Sequence, residues 1–139
     1  MFDETTKYKN NDHFFFKKGD KLSEVSKDVP DLPGVYYIIK LAKGKVELVY
    51  IGKSGIITQK KDMKKQTLRK RFDDTQGKLY SQQYFYEKIK DVNTDGLDIY
   101  WFVTMDKNNN DLPVYVEGLL LQRYFEVNSE VPLWNLELY

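Results

Sequence analysis

Two tyrosines stand where strand-like sequence meets glycine. Tyr36 lies in LPGVYYI (32–38), two residues after Gly34. Tyr50 lies in LVYIGKSG (48–55), two residues before Gly52, and Lys53 and Ser54 follow. A phenol can donate and accept hydrogen bonds, so this stretch could form one wall of an active site. It could equally be ordinary sheet packing that runs into a turn, since tyrosine favours half-buried strands and the chain has 11 of them. Other chemistries lack their residues. There is no cysteine, which removes a disulfide scaffold, a thiolate zinc site and a cysteine nucleophile together. His13 is the only histidine, so a multi-histidine metal centre and a serine–histidine triad deep in the chain are not expected. Any metal would be held by carboxylates and water, which suits a hard cation such as magnesium.

The net charge is +1, but it is unevenly spread. Between Lys40 and Lys90 there are 14 basic and 5 acidic residues; outside that segment there are 8 basic and 16 acidic. A basic middle between acidic flanks fits a surface that meets phosphates, or else a solvated lysine-rich loop. The 139 residues are enough for one domain with a single core of ordinary size. No apolar run approaches the roughly 20 residues that span a bilayer, and the N-terminus does not read as a signal peptide. A cytoplasmic location without a membrane partner is the expectation.

The elements that would position the tyrosines follow from pattern. GVYYIIK (34–40) and KVELVYIG (45–52) read as a β-hairpin across LAKG. A three-residue Ala42-Lys43-Gly44 loop with a left-handed glycine would set Tyr36 directly opposite Tyr50 on one face. A two-residue Lys43-Gly44 turn would shift the register by one and separate them. TLRKRFDDT (67–75) reads as a helix capped by Thr67, with Leu68 and Phe72 on one face. LYSQQYFYEKIKDV (79–92) is a second helix, LDIYWFVTM (97–105) a strand, and LPVYVEGLLLQRYFEVN (112–128) a long helix with Pro113 in its first turn. The polar, basic IITQKKDMKKQ (56–66) reads as a loop or insert. Residues 1–31 are expected to be an N-terminal extension holding a short strand and a short helix, with Asp20 or Ser23 as its cap.

In this order the motifs resemble the GIY-YIG nuclease domain. Gly34-Val35-Tyr36 and Tyr50-Ile51-Gly52 look like its two signature strands. Leu68-x-x-Arg71 is similar to its arginine helix. Glu117 and the Pro132-x-Trp134-Asn135 ending resemble its acidic and asparagine elements. The resemblance covers about residues 32–136. It implies, over residues 32–139, an α+β fold with a three-stranded antiparallel sheet flanked by helices. It also implies an endonuclease that hydrolyses nucleic-acid phosphodiesters, with DNA as the expected partner and magnesium or manganese as cofactor. On that resemblance Tyr36 relays a proton from the attacking water, supported by Tyr50 and by positive charge from Lys53. Arg71 grips two phosphate oxygens, and Glu117 binds the metal. Gly34 and Gly52 let backbone approach closely, and Lys53, Ser54, Arg69 and Asn135 join the substrate-binding set.

The chain departs from the family pattern in three places. The lysine-rich insert between Gly52 and Arg71 is long. Where many members carry His or Tyr one turn after the arginine, this chain has Thr75, so Tyr80, Tyr84 or Tyr86 becomes a candidate for that place. Counting back from Pro-x-Trp-Asn, some members would place the carboxylate at Gln122, which has no charge for a metal, whereas Glu117 matches members with a longer tail. These departures keep open a second expectation, a nucleic-acid-binding module on the same fold with weakened chemistry. A protein-interaction domain that ignores nucleic acid is a third. The sequence fixes no oligomeric state.

Overall fold

The structure, a computed structural model, describes residues 2–54, 67–73, 75–76, 79–91 and 93–135. The lysine-rich stretch at 55–66 and the side chains of Thr75 and Tyr80 lie outside the described part. After a 3-10 turn at Asp3–Thr5, the elements in chain order are β1 (Asn11–Phe16), α1 (Leu22–Val25), β2 (Gly34–Ala42), β3 (Lys45–Lys53), α2 (Leu68–Asp73), β4 (Thr75–Gln76), β5 (Leu79–Tyr80), α3 (Ser81–Ile89), β6 (Gly96–Val103) and α4 (Pro113–Asn128). β4 and β5 form a small ladder of their own. The main sheet has the order β1-β6-β2-β3, antiparallel throughout.

The sheet has four strands, not the three expected. The fourth comes from the N-terminal segment, where Phe14 and Phe16 alternate inward and Asp12 and His13 blur the apolar signal. β1 pairs with β6, and Phe2, Tyr8, Phe16, Leu22 and Val29 are all buried. Nor does Asp20 or Ser23 cap α1. Lys21 occupies the cap without a side-chain bond, and the Leu22 amide instead donates to Gln82 Oε1 of α3 at 2.5 Å.

β2 and β6 are central, so both of their faces are covered and their sequences are almost continuously apolar. One face carries Tyr36, Ile38, Tyr50, Leu97, Ile99, Trp101 and Val103. It packs against Leu22, Leu68, Phe72, Phe85 and Ile89 from α1, α2 and α3. The opposite face carries Val35, Tyr37, Ile51 and Phe102, and packs against Val116 and Leu120 of α4 with Phe2 and Tyr8. Among the described residues, no helix is long and apolar enough to cross a membrane.

The hairpin differs from expectation in its turn yet keeps the consequence that matters. Ala42 pairs with Lys45, so the turn has two residues, with Lys43 at φ 49° and Gly44 at φ 78°. Both central residues at positive φ mark the primed turn whose twist matches the strands. Carried straight along, that register would put Tyr50 opposite Tyr37, on the face away from Tyr36. A bulge intervenes: Ile39 pairs with Leu48 but Ile38 pairs with Tyr50, leaving Val49 as the extra residue. Tyr36 then pairs with Gly52 rather than with Tyr50. Because Tyr36 and Ile38 are two apart on β2, both phenols project from the same face.

Candidate active site

The site begins with what glycine leaves empty. A Cβ at Gly34 would run into the Phe102 carbonyl and stand 2.8 Å from Leu68 Cδ1. Only glycine therefore lets Leu68 settle against the start of β2. The backbone fixes the same contact, since the Leu68 amide donates to the Leu32 carbonyl at 2.9 Å. Thr67 caps α2 as expected, accepting the Lys70 amide at 3.3 Å. With Leu68 buried at the sheet, Arg71 one turn later faces the same way.

Arg71 meets both tyrosines there. Its guanidinium is hydrogen-bonded to the Tyr36 and Tyr50 oxygens. Burial works against its charge, but the two phenol groups beside it raise its pKa above the ordinary arginine value. Tyr36 is 0% exposed, with its ring 5.1 Å from Phe72 and 5.9 Å from Tyr50. Gly52 makes room for them. A Cβ there would lie 2.6 Å from Tyr50 Cε2, 2.7 Å from Tyr36 Cζ and 2.8 Å from the Tyr36 hydroxyl. The solvent-facing members of the group are Arg71, Lys53 and Tyr84, each half-buried.

Glu117 approaches from the other layer. It lies beyond the first turn of α4, which holds no acidic residue, so it does not serve that helix's N-terminal dipole. It is 6% exposed. Burial pushes its carboxyl pKa up, while Lys53 and Arg71 pull it down; burial prevails. The carboxylate thus lies within electrostatic reach of the last residue of β3 and of the guanidinium across the sheet end. Gln122 is exposed and donates to Glu126 at 3.3 Å, so of the two residues Glu117 is the one beside Lys53 and Arg71.

No family model, no curated protein and no solved structure matches this chain. The site has to be argued from its own geometry.

That geometry divides the expected residues. Tyr36, Tyr50, Gly52, Lys53, Arg71 and Glu117 gather at one end of β2 and β3. Gly34 and Ser54 lie at the same end as fasteners: Ser54 Oγ accepts the Gly34 amide at 2.9 Å, and the Ser54 amide donates back to the Gly34 carbonyl at 3.0 Å. Arg69 does not join them. Its Nε donates to the Val29 carbonyl at 2.9 Å and its Nη2 to Lys27 at 3.3 Å, so it braces the connection before β2. Asn135 works on β3 itself. Its Oδ1 accepts the Ile51 amide and its Nδ2 donates to the Ile51 carbonyl, both at 2.9 Å. Of the tyrosines offered for the Thr75 position, Tyr84 lies 6.4 Å from the Tyr50 ring, whereas Tyr86 is exposed.

Among the described residues, no three His, Asp or Glu side chains cluster as a preformed metal cage. The donor set at this site is one buried carboxylate. That suits a hard divalent cation which keeps several waters and takes its remaining ligands from a phosphate. Sequence reasoning did not single out Phe72 as the ring that backs Tyr36, nor Lys88, whose ammonium lies over both Tyr84 and Trp134. The i,i+4 spacing of Tyr84 and Lys88 was the available signal.

Proposed function

We propose that this protein is a metal-dependent endonuclease of the GIY-YIG type, acting on nucleic acid, with DNA as its substrate. The observation that supports it best is Arg71 hydrogen-bonded to both Tyr36 and Tyr50 with buried Glu117 in electrostatic reach. Random surface placement does not bring a guanidinium, two phenols, an ammonium and a carboxylate to one strand end. Structural ion-pair networks can also do so, which is why activity is the test.

The roles follow from the chemistry of each group. Water attacks phosphorus, and Tyr36 takes part in removing its proton. Arg71, donating to the Tyr36 oxygen, supports negative charge there, and its remaining N–H groups can hold a non-bridging phosphate oxygen as charge builds. Tyr50 fixes the guanidinium from the second side. Lys53 adds positive charge beside Glu117. A magnesium or manganese ion held by Glu117, water and phosphate oxygens would stabilise the leaving oxygen. One strand breaks per event, without a covalent enzyme intermediate.

The test is incubation of the purified protein with supercoiled, branched and flapped DNA plus magnesium or manganese. Nicking is expected, with Tyr36→Phe, Arg71→Ala and Glu117→Gln each reducing it by about 10²- to 10⁴-fold. Absence of cleavage, or cleavage indifferent to all three changes, counts against the reading. The full burial of Tyr36 favours a second one: a module that binds nucleic acid without cutting it. It predicts salt-dependent binding with no turnover.

A further inference from the structure

Beside the tyrosine pair lies a cation that the reaction above does not use. Lys88 is on α3, one turn after Tyr84, and its ammonium lies over two rings. Nζ is 5.3 Å from the Tyr84 centroid and 4.9 Å from that of Trp134. Both rings are themselves fixed. Tyr84 packs against Tyr50 and against Phe85. Trp134 donates its backbone N–H to the Val49 carbonyl at 2.8 Å, and Asn135 next to it clamps Ile51. The Lys88 head is therefore held along the outer edge of β3, beside the strand that carries Tyr50.

No carboxylate pairs with Lys88 among the described residues, whereas Lys90, two residues on, is bonded to Glu87 at 2.7 Å. Burial lowers the Lys88 pKa. A half-buried ammonium with two aromatic faces and, among the described residues, no carboxylate partner is held in place by the rings and can still take an anion. Its aromatic neighbours restrict where it can move, and an anion can still reach it from solvent.

We propose that Lys88 is a substrate-binding residue that grips a backbone phosphate flanking the scissile one, along the β3 edge between Tyr84 and Trp134. The proposal rests on the nuclease or nucleic-acid-binding reading of the tyrosine site. It assigns the surface beside β3, between Tyr84 and Trp134, as part of the path of the bound strand. Lys88 acts on substrate placement and not on the chemical step, so its loss raises KM and leaves kcat nearly unchanged.

The experiment measures binding of a fluorescein-labelled flapped DNA duplex in chelator by anisotropy across a salt series, with nicking assayed separately in magnesium. Lys88→Met keeps an unbranched stem against the rings and removes the charge. It should weaken binding about tenfold at low salt and lower the magnitude of the log–log salt slope by about one, as expected for one phosphate contact. Lys88→Arg should restore both. Lys90→Met, which removes an already paired lysine, should leave the slope as in the wild type. If Lys88→Met keeps the wild-type slope and KM while lowering the melting temperature, Lys88 only props Trp134 and the proposal is wrong. In that case wild-type nicking still upholds the nuclease reading. If the wild type neither binds nor nicks DNA, the nuclease reading and this proposal fall together.

Discussion

Gly52→Ala tests the steric argument with one methyl group. Its Cβ would stand 2.6 Å from Tyr50 Cε2, 2.7 Å from Tyr36 Cζ and 2.8 Å from the Tyr36 hydroxyl, where ordinary contact begins at 3.4 Å. The two rings must therefore give by about 0.6–0.8 Å. Tyr36 has little room to do so, because Phe72 backs it at 5.1 Å and its ring is wholly buried. Overpacking of this kind costs about 1–3 kcal/mol of stability. The displacement also falls on the atoms that hold Arg71, and a misplacement approaching 1 Å can cost about 10²-fold in rate. The assays are thermal melting and plasmid nicking, read beside Gly118→Ala. Gly118 is exposed within α4, and a Cβ there would meet nothing within 4 Å. That change should stabilise the fold by about 0.5–1 kcal/mol and leave nicking alone. A Gly52→Ala protein that melts and nicks like the wild type would refute the packing argument at its root.

Two further outcomes follow from the same neighbourhood. The Glu117 carboxyl has its folded pKa raised above its ordinary value of 4.5, so its ionised form burdens the fold above that raised value and the burden is relieved as pH falls towards 4.5. Glu117→Gln should accordingly melt above the wild type at neutral pH, with the gap closing as the buffer is acidified; a gap that stays constant with pH would contradict the raised value. Asn135→Ala leaves the Ile51 N–H and C=O without their two 2.9 Å partners and should lower stability by about 2–4 kcal/mol, measured by denaturant unfolding. A loss under about 0.5 kcal/mol would mean that water replaces the amide fully.

Much of the frame was legible because pattern and propensity agreed. The two hairpin strands, β6 and α4 are long and strongly apolar, and their ends fell within a residue or two of expectation. The L-x-x-R spacing carries Arg71, by i,i+3 geometry, to the side of α2 that Leu68 buries, whereas Arg69 turns to the Val29 carbonyl. Less legible were features set by residues far apart in sequence. The two-residue turn places Lys43 at positive φ, which its residue type does not announce. Two bonds explain it. The Lys43 amide donates to Asp95 Oδ2 at 2.8 Å, and the Asp95 amide donates to the Leu41 carbonyl at 2.7 Å. The turn is thus held by a residue about fifty positions later, just before β6. A short strand was expected within residues 1–31, but its place was not: β1 pairs with β6, more than eighty residues later, and so becomes the fourth strand of the main sheet.

The bulge at Val49 joins these distant constraints to the site. With the turn fixed at two residues, the spacing from Tyr36 to Tyr50 has the wrong parity for both phenols to share a face, and one extra residue restores it. An extra residue on an edge strand leaves backbone groups to be satisfied. The C-terminal segment supplies the partners: the Trp134 amide reaches the Val49 carbonyl and Asn135 takes both Ile51 groups. Covering an exposed edge in this way also prevents pairing with other chains. The same segment then holds Trp134 over Lys88. Trp134 and Asn135 therefore act on the tyrosine pair through the backbone of β3. They hold the bulged strand in the register that turns Tyr50 towards Tyr36 and Arg71. Damage there should perturb the pair through the backbone, before any contact at the phenols is changed.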